Sequence, residues 1–380
     1  MTISQCAAAF GAAAVSVQAL SAMVAAFRCR RRRNALAAPK DAPPVSIVRP
    51  LCGLDPFLSE TLASTFALDY PSYEIVFCLA HPDDLSAPVA RRLIAAHPDI
   101  PSRLLIGDDR PSANPKLNNC VKGWKAAAHQ WIILADANVM MPKDYIQRLL
   151  ARWRPGAGIV CAPPVGAAPG SLAAEVECAF LNTYQARWQY VGETFGFGFA
   201  QGKTMLWRRD ILEAGGGIEA LGAEIAEDAA ATKLIHRAGL VALLVDRTFE
   251  QPLGVRRWRE VWMRQVRWAR LRRATFPLAF APELLTTSLW TLAAAWIGAA
   301  ALDWSPWLAT LGAALIWYGS EGMLAFVAGW TLGVSSPLAW IIRDLALPVL
   351  FVQAWTSNAF TWRGNEMSVG EDEAPAGAAR

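Results

Sequence analysis

Residues 131–138 read WIILADAN: five apolar residues in a row, then Asp136. A short apolar run closed by a carboxylate reads as a strand buried on both faces, with the acid at its carboxyl end. The same grammar recurs on either side. VSIVR at 45–49, YEIVFCLA at 73–80, SRLLIGD at 102–108, GIVCAP at 158–163 and LVALLVD at 240–246 are further strand runs. Amphipathic helices fit the intervals up to Phe66 and around 86–97, 117–128 and 142–153. Strands alternating with helices of this length predict an α/β domain on a mostly parallel sheet with helices on both faces. Ligands of such sheets bind beyond the carboxyl ends of the strands. Asp83 and Asp84 follow the second run and Asp136 closes the fourth, so all three fall on that edge. No GxGxxG or Walker loop occurs in the sequence, which turns the reading away from ordinary dinucleotide binding and phosphoryl transfer.

Outside this domain the composition changes. The hydrophobic set makes up 54% of the 380 residues, and the excess over an ordinary soluble protein is concentrated in stretches, which points to membrane spans. Residues 7–27 carry no charge and are followed at once by Arg28, Arg30, Arg31, Arg32 and Arg33. A cleaved signal has its charge before the apolar run, so this order predicts an uncleaved anchor with the next domain in the cytoplasm. Three more candidate spans lie at 284–302, 307–330 and 338–356. Glu321, Arg343 and Asp344 stand inside the last two, either as functional groups at membrane depth or as an ion pair that pins helices together. The expected layout is an anchor at 1–34, the α/β domain at 40–255, an Arg/Trp segment at 256–283, spans at 284–356 and a tail at 357–380 that is disordered from Gly364 onward. Seven scattered cysteines without a CxxC pair and four histidines without ligand spacing exclude a disulfide framework or a zinc site, and they leave the chemistry to carboxylates.

Four places carry candidate chemistry, each with a plainer reading beside it. Asp136 is placed either to coordinate a divalent cation shared with a diphosphate or to turn a loop. Glu227-Asp228 opens an apolar helix at about 229–238, so Asp228 is either a general base or a helix-start acid. NPKLNN at 114–119 sets Lys116 among Asn114, Asn118 and Asn119 at a helix entry, which suits a diphosphate or a turn with a cap. Residues 256–273 hold eight arginines with Trp258, Trp262 and Trp268, the pattern of an interfacial helix. An inward arginine from that helix clamps a diphosphate. Binding of nucleic acid fits poorly in a chain that enters the bilayer about ten residues later.

Taken in order, VSIVRPLCGLDP, LDYPSYEIVFCL, the Asp83-Asp84 pair, NPKLNN, Asp136, IAEDAA, RQVRW and TWRG at 361–364 resemble the inverting glycosyltransferases of GT-A fold. More narrowly they resemble the ceramide glucosyltransferases and their bacterial relatives that glycosylate ceramide, diacylglycerol or hopanoid lipids. The resemblance spans about 45–365. It implies a UDP-sugar donor, Mg²⁺ or Mn²⁺, a membrane-lipid acceptor and a place in glycolipid biosynthesis; the richness of the chain in Ala and Arg points to a bacterial inner membrane. By the same resemblance Asp84, with Asp83 as its neighbour, binds the uridine end, Asp136 holds the metal and Asp228 is the catalytic base. Lys116 and Asn118 join the donor site, Arg264, Arg267 and Trp268 match the motif that holds the pyrophosphate, and Trp268 also shapes the acceptor site. Two positions depart from the pattern. Ala137 and Asn138 follow Asp136 where a second aspartate is expected, and Gln185, an acceptor-site candidate, stands in place of a histidine. The competing expectations are a diacylglycerol or hopanoid acceptor, a processive enzyme, and a non-catalytic membrane scaffold.

Overall fold

In the run VSIVRP every one of six residues is buried, because strands on both sides and helices on both faces cover it. The computed structural model describes residues 1–30, 35–362 and 365–368. Arg31, Arg32 and Arg33 of the basic stretch, Arg363 and Gly364 of TWRG, and the tail beyond residue 368 lie outside the described residues. The chain divides into two compact units. One comprises Met1–Arg28, Pro169–Trp188 and the residues from Val255 onward, and the other comprises Cys29–Ala168 and Gln189–Gly254.

The second unit is built on strands β1 (Val45–Pro50), β2 (Tyr73–Leu79), β3 (Ser102–Ile106), β4 (Trp131–Ala135), β5 (Ala157–Cys161), β6 (Pro164–Pro169), β7 (Thr204–Arg208), β8 (Val241–Leu244) and β9 (Phe249–Gly254). Seven of them form one sheet in the order β3-β2-β1-β4-β7-β5-β8, and β6 pairs with β9. β1 runs parallel to β2 and β4, β2 parallel to β3, and β5 parallel to β8. β7 alone runs against both its neighbours, β4 and β5. The apolar runs at 45–49, 73–80, 102–108, 131–136, 158–163 and 240–246 are the parallel strands, each within a few residues of its expected ends. β7 had no such signal. The helix Pro115–Ala126 packs over β1 and β2 because Gly123 has no side chain: a Cβ there would stand 2.3 Å from Val48 Cγ1 and 2.8 Å from Cys78 Sγ. That close seat brings the first turn of the helix, with Lys116, to the carboxyl edge of the sheet.

The first unit is helical. Ile3–Cys29, Pro306–Ala328 and Ser336–Thr356 are each long and apolar enough to cross a membrane. The expected span at 284–302 is not one straight helix. Pro277–Leu285 and Ser288–Ala301 meet at a 46° bend. Pro282 weakens the hydrogen-bond ladder there, and Thr287 starts a new helix by accepting from the Leu289 amide. Arg343 and its acids are the pin that holds this unit together. Arg343 makes a forked pair with Glu321 at 2.8 and 2.9 Å, and two further bonds to Asp344 Oδ1 at 2.9 and 2.6 Å. Glu321 also accepts from Gln18 and Thr183, and Asp344 from the Ser288 amide and Trp317. Gln18 in turn accepts from buried Arg187. One cation, Arg343, is thereby paired with two anions inside the helices, and buried Arg187 is bonded to the neutral Gln18 amide, as a polar group in an apolar surround requires.

Candidate active site at the sheet edge

Asp136 leaves β4 at its carboxyl end and meets two ammonium groups. Lys116 Nζ lies 2.7 Å from Oδ1 and Lys203 Nζ 2.8 Å from Oδ2. Burial pushes the Asp136 carboxyl up, but the two lysines outweigh it and hold the group well below the usual carboxylate range. The loop carrying it is fixed from below. Arg49, fully buried at the end of β1, donates to the carbonyls of Asp136, Ala137 and Val139 at 2.9, 2.9 and 3.0 Å. Desolvation lowers the Arg49 pKa to about 10, where the group is still a cation at neutral pH.

Lys116 is the hub of the cluster. Its ammonium also lies 2.6 Å from Glu227 Oε1 and donates to the Gly202 carbonyl at 2.6 Å. Burial opposes its charge, yet Asp136 and Glu227 together raise its pKa well above the ordinary lysine value. Asn114 caps the helix by accepting from the amides of Lys116 and Leu117, while its own amide donates to Glu227 Oε2 at 2.8 Å. The capping reading of NPKLNN holds, and the capping residue also contacts Glu227.

Asp228 sits beside this cluster in the first turn of the helix Glu227–Arg237. Its Oδ2 accepts from the Gly202 amide at 3.0 Å and its Oδ1 from the Ala229 amide at 2.9 Å. Desolvation, then the negative charge of Glu227, raise its pKa to about 6 against the pull of Lys116. Gly202 is the floor of the arrangement. A Cβ there would stand 2.8 Å from Glu227 Oε1 and 3.2 Å from both Asp228 Oδ2 and Lys116 Nζ.

Asp84 closes β2's end of the same edge. Its carboxylate accepts from the Gly53 amide at 3.0 Å and from the amide and hydroxyl of Ser86 at 2.8 and 2.5 Å, which holds the loop after β1. Asp83 is exposed beside it. Asn118 is spent on Ser112, accepting from its amide and hydroxyl and donating to its carbonyl, so it shapes the loop before the helix. Among the described residues no group of three or more His, Cys, Asp or Glu is arranged to enclose a metal.

The remaining candidates belong to the helical unit. The helix Trp258–Thr275 carries Arg264, Arg267 and Trp268, and each of the three is partly buried. Arg264 pairs with the fully buried Glu177. Gln185 donates to Gln265 at 3.2 Å.

Comparison with known proteins identifies the family and the fold. Residues 12–374 match glycosyl transferase family 21. The chain belongs to that family. It is similar to ceramide glucosyltransferase 1 of Caenorhabditis elegans, 25% identical over 335 residues that cover 86% of this chain and 72% of the nematode protein. A ceramide glucosyltransferase of Komagataella phaffii is 35% identical over 121 residues, 31% of this chain and 24% of the yeast protein. The fold is also that of a mannosyltransferase from Pyrobaculum calidifontis solved with GDP-Man and Mn²⁺, at a TM-score of 0.51 and 17% identity, covering 92% of this chain and 97% of that one. The protein is thus a glycosyltransferase of GT-A fold, and the scaffold reading falls away.

Three residues of this family 21 glycosyltransferase site escaped sequence reading: Arg49, Gly202 and Lys203. Gly202 and Lys203 reach Asp136 because β7 is antiparallel to β4, so the chain entering β7 passes the carboxyl end of β4; the Asp136 amide donates to the Lys203 carbonyl at 3.0 Å. Strand direction has no signature in composition. Arg49 had one usable signal, a charge within an otherwise apolar buried strand.

Proposed function

We propose that this glycosyltransferase moves a hexosyl group from a UDP-sugar to the primary hydroxyl of ceramide, with inversion at the sugar carbon. Glucose is the sugar, following the names of the relatives. The observation that carries this reading is the pairing of two aspartates with opposite electrostatics on one sheet edge. Asp136 is kept ionised by two lysines, while Asp228 is desolvated and poised near pH 6 within reach of the same lysine hub. Divergent environments for neighbouring acids mark distinct roles.

Asp228 acts as the general base, taking the proton of the acceptor hydroxyl as its oxygen forms the new bond to the sugar. Its two backbone hydrogen bonds fix the carboxylate against rotation. Glu227 and Asn114 hold Lys116, and Lys116 and Lys203 supply positive charge for the diphosphate. Asp84 frames the loop after β1, and with Asp83 it borders the place for the uridine. Arg267 and Trp268 are assigned to the diphosphate and the acceptor by the family pattern alone, and Arg264 positions their helix through Glu177.

A divalent cation fits this edge in one manner. Asp136 offers a hard carboxylate whose buried Oδ1 has a charge partner but no aligned hydrogen bond. Asp136 would be the residue that holds the cation, in competition with Lys116 at Oδ1 and Lys203 at Oδ2. When bound, the cation neutralises charge on the departing diphosphate. We place the enzyme in a bacterial inner membrane with the sheet domain on the cytoplasmic side.

The test is direct. Purified protein in lipid nanodiscs is given labelled UDP-sugars with ceramide, diacylglycerol or a hopanoid, and lipids are resolved by thin-layer chromatography. Transfer of glucose to ceramide, lost in Asp228→Asn, supports the reading. Transfer to diacylglycerol or hopanoid alone removes ceramide as the acceptor, and full activity of Asp228→Asn removes the base.

A further inference from the structure

The last two turns of the helix Trp258–Thr275 carry Arg270, Arg272 and Arg273. Cations in a last turn answer the helix dipole, and Arg272 also forms a forked pair with Glu283 at 2.7 and 2.8 Å. Arg270 and Arg273 are bonded differently. Spaced i and i+3, they lie on one face of the helix. Arg270 donates to the Ala359 carbonyl and Arg273 to the side-chain oxygen of Asn358, and among the described residues neither pairs with a carboxylate. Both acceptors are neutral, so the two positive charges are not offset. Arg270 is 8% exposed and its Nε has no hydrogen-bond partner. Burial, then the charge of Arg273, lower its pKa, and no acid acts the other way. A buried cation beside a second cation is costly unless an anion joins them.

The surroundings indicate which anion. Arg273 lies over the ring of Trp355 at 5.2 Å, in the final turn of Ser336–Thr356. Stacking of this kind covers a guanidinium's face and leaves its N–H edge for the oxygens of a phosphate. Trp355 is 55% exposed, and Leu278, in the short helix that follows Arg273, is 90% exposed. Val352, one turn before Trp355, is exposed as well. In a chain with helices able to cross a membrane, large apolar side chains this open belong against acyl chains. A tryptophan at the end of an apolar helix marks the headgroup level. Basic side chains at that level meet lipid phosphates. A soluble anion would answer the arginines but not their apolar border.

We propose that Arg270 and Arg273, bordered by Trp355, bind the phosphate of an anionic phospholipid whose acyl chains lie against Val352 and Leu278. An anionic lipid is preferred to a zwitterionic one because the latter brings a cation of its own to a place already holding two. The lipid is bound and not consumed, and it ties the end of the helix Trp258–Thr275 to the end of Ser336–Thr356. The site goes beyond the transferase reading and holds whichever lipid accepts the sugar.

The experiment uses the full-length protein in nanodiscs made of equal parts phosphatidylcholine and phosphatidylglycerol. Native mass spectrometry counts the lipids that stay bound on release. Wild-type protein should retain phosphatidylglycerol several-fold more than phosphatidylcholine. Arg270→Gln and Arg273→Gln should each remove most of that preference. Arg259→Gln, which takes the same charge from an exposed position of the same helix, should keep it. Arg273→Lys retains the charge without the planar fork and should fall between. Wild-type protein photolabelled with a phosphatidylglycerol that carries a diazirine near its headgroup should be marked within 270–278 and 351–359, a result that does not depend on any variant folding. Equal retention of the two lipids by wild type, as large a loss in Arg259→Gln as in Arg273→Gln, or labelling confined to other segments overturns the proposal. Displacement of the retained lipid by inorganic phosphate would assign the arginines to soluble anions and remove the lipid from the site.

Discussion

The two ion clusters of this protein use the same side-chain chemistry to opposite ends. Around Arg343, in the helical unit, both carboxylates are saturated: Glu321 accepts from Arg343, Gln18 and Thr183, and Asp344 from Arg343, Ser288 and Trp317. At the sheet edge the accounting is left open. Asp136 Oδ1 has an ion partner but no aligned hydrogen bond, and Asp228 carries no ion pair in the described structure and is pushed up to about 6. A network that satisfies every member rigidifies, whereas one that leaves charge unbalanced is ready to bind or react. On the proposed reading the first cluster is structural and the second chemical, and substitutions in each should fail in different ways.

The largest contrast is between Asp228→Asn and Arg343→Met. Asp228→Asn keeps one of the two backbone contacts, from Ala229 or from Gly202, through its single amide oxygen; it should still fold and lose about 10²–10⁴ in kcat, as removal of a general base does. Arg343→Met strands two buried anions and should cost about 3–5 kcal/mol. It should show as loss of folded protein on size-exclusion chromatography rather than as a slow enzyme. Adding Glu321→Gln and Asp344→Asn to Arg343→Met should restore much of the yield, because the two stranded anions are gone and Arg187 keeps its bond to Gln18. If the triple variant is no better than the single one, charge pairing is not what holds those helices.

Next in size is the pH dependence. Asp228 works as a base only when ionised, so kcat/KM should fall about tenfold for each pH step below about 6 and level off above it. Stability has the other sign. The folded protein keeps this proton to a higher pH than the unfolded chain, so the contribution of Asp228 to folding is favourable in acid and is lost as pH rises from about 4 to about 6. Lys116→Met removes a positive charge that lowers the Asp228 pKa, and the acid limb should move upward. A limb that stays in place would detach Asp228 from the lysine hub.

How much of this was legible in advance follows from the physics of each signal. Apolar runs such as WIILA mark buried parallel strands because nothing polar is tolerated there, and Asp136, Asp84 and Asp228 stood out as acids at the ends of such segments or at a helix start. Lys116 was visible as a lone cation among amides at a helix entry. Strand direction was not visible, so Gly202 and Lys203 were missed: what places them is the antiparallel course of β7. Nor does spacing distinguish a saturated ion pair from an open one. Glu321 and Asp228 both stand as acids beside apolar sequence, and their hydrogen-bond partners separate them.

The smallest effect should come from Gly202→Ala, and it tests the open cluster most finely. The added methyl meets only the side-chain ends of Glu227, Asp228 and Lys116, at 2.8 and 3.2 Å, and no backbone atom is among its three nearest contacts. Side-chain ends give way cheaply, so the thermal midpoint should move by no more than about 2 °C, corresponding to under 1 kcal/mol. They give way, however, at the positions that set the charge on Asp228 and the seat of Lys116, where a displacement of an ångström is felt in the rate. Activity should drop about tenfold with KM for the sugar donor rising alongside. A Gly202→Ala enzyme with unchanged kinetics would mean that the lysine hub tolerates displacement, and the sheet-edge cluster would then resemble the saturated one after all.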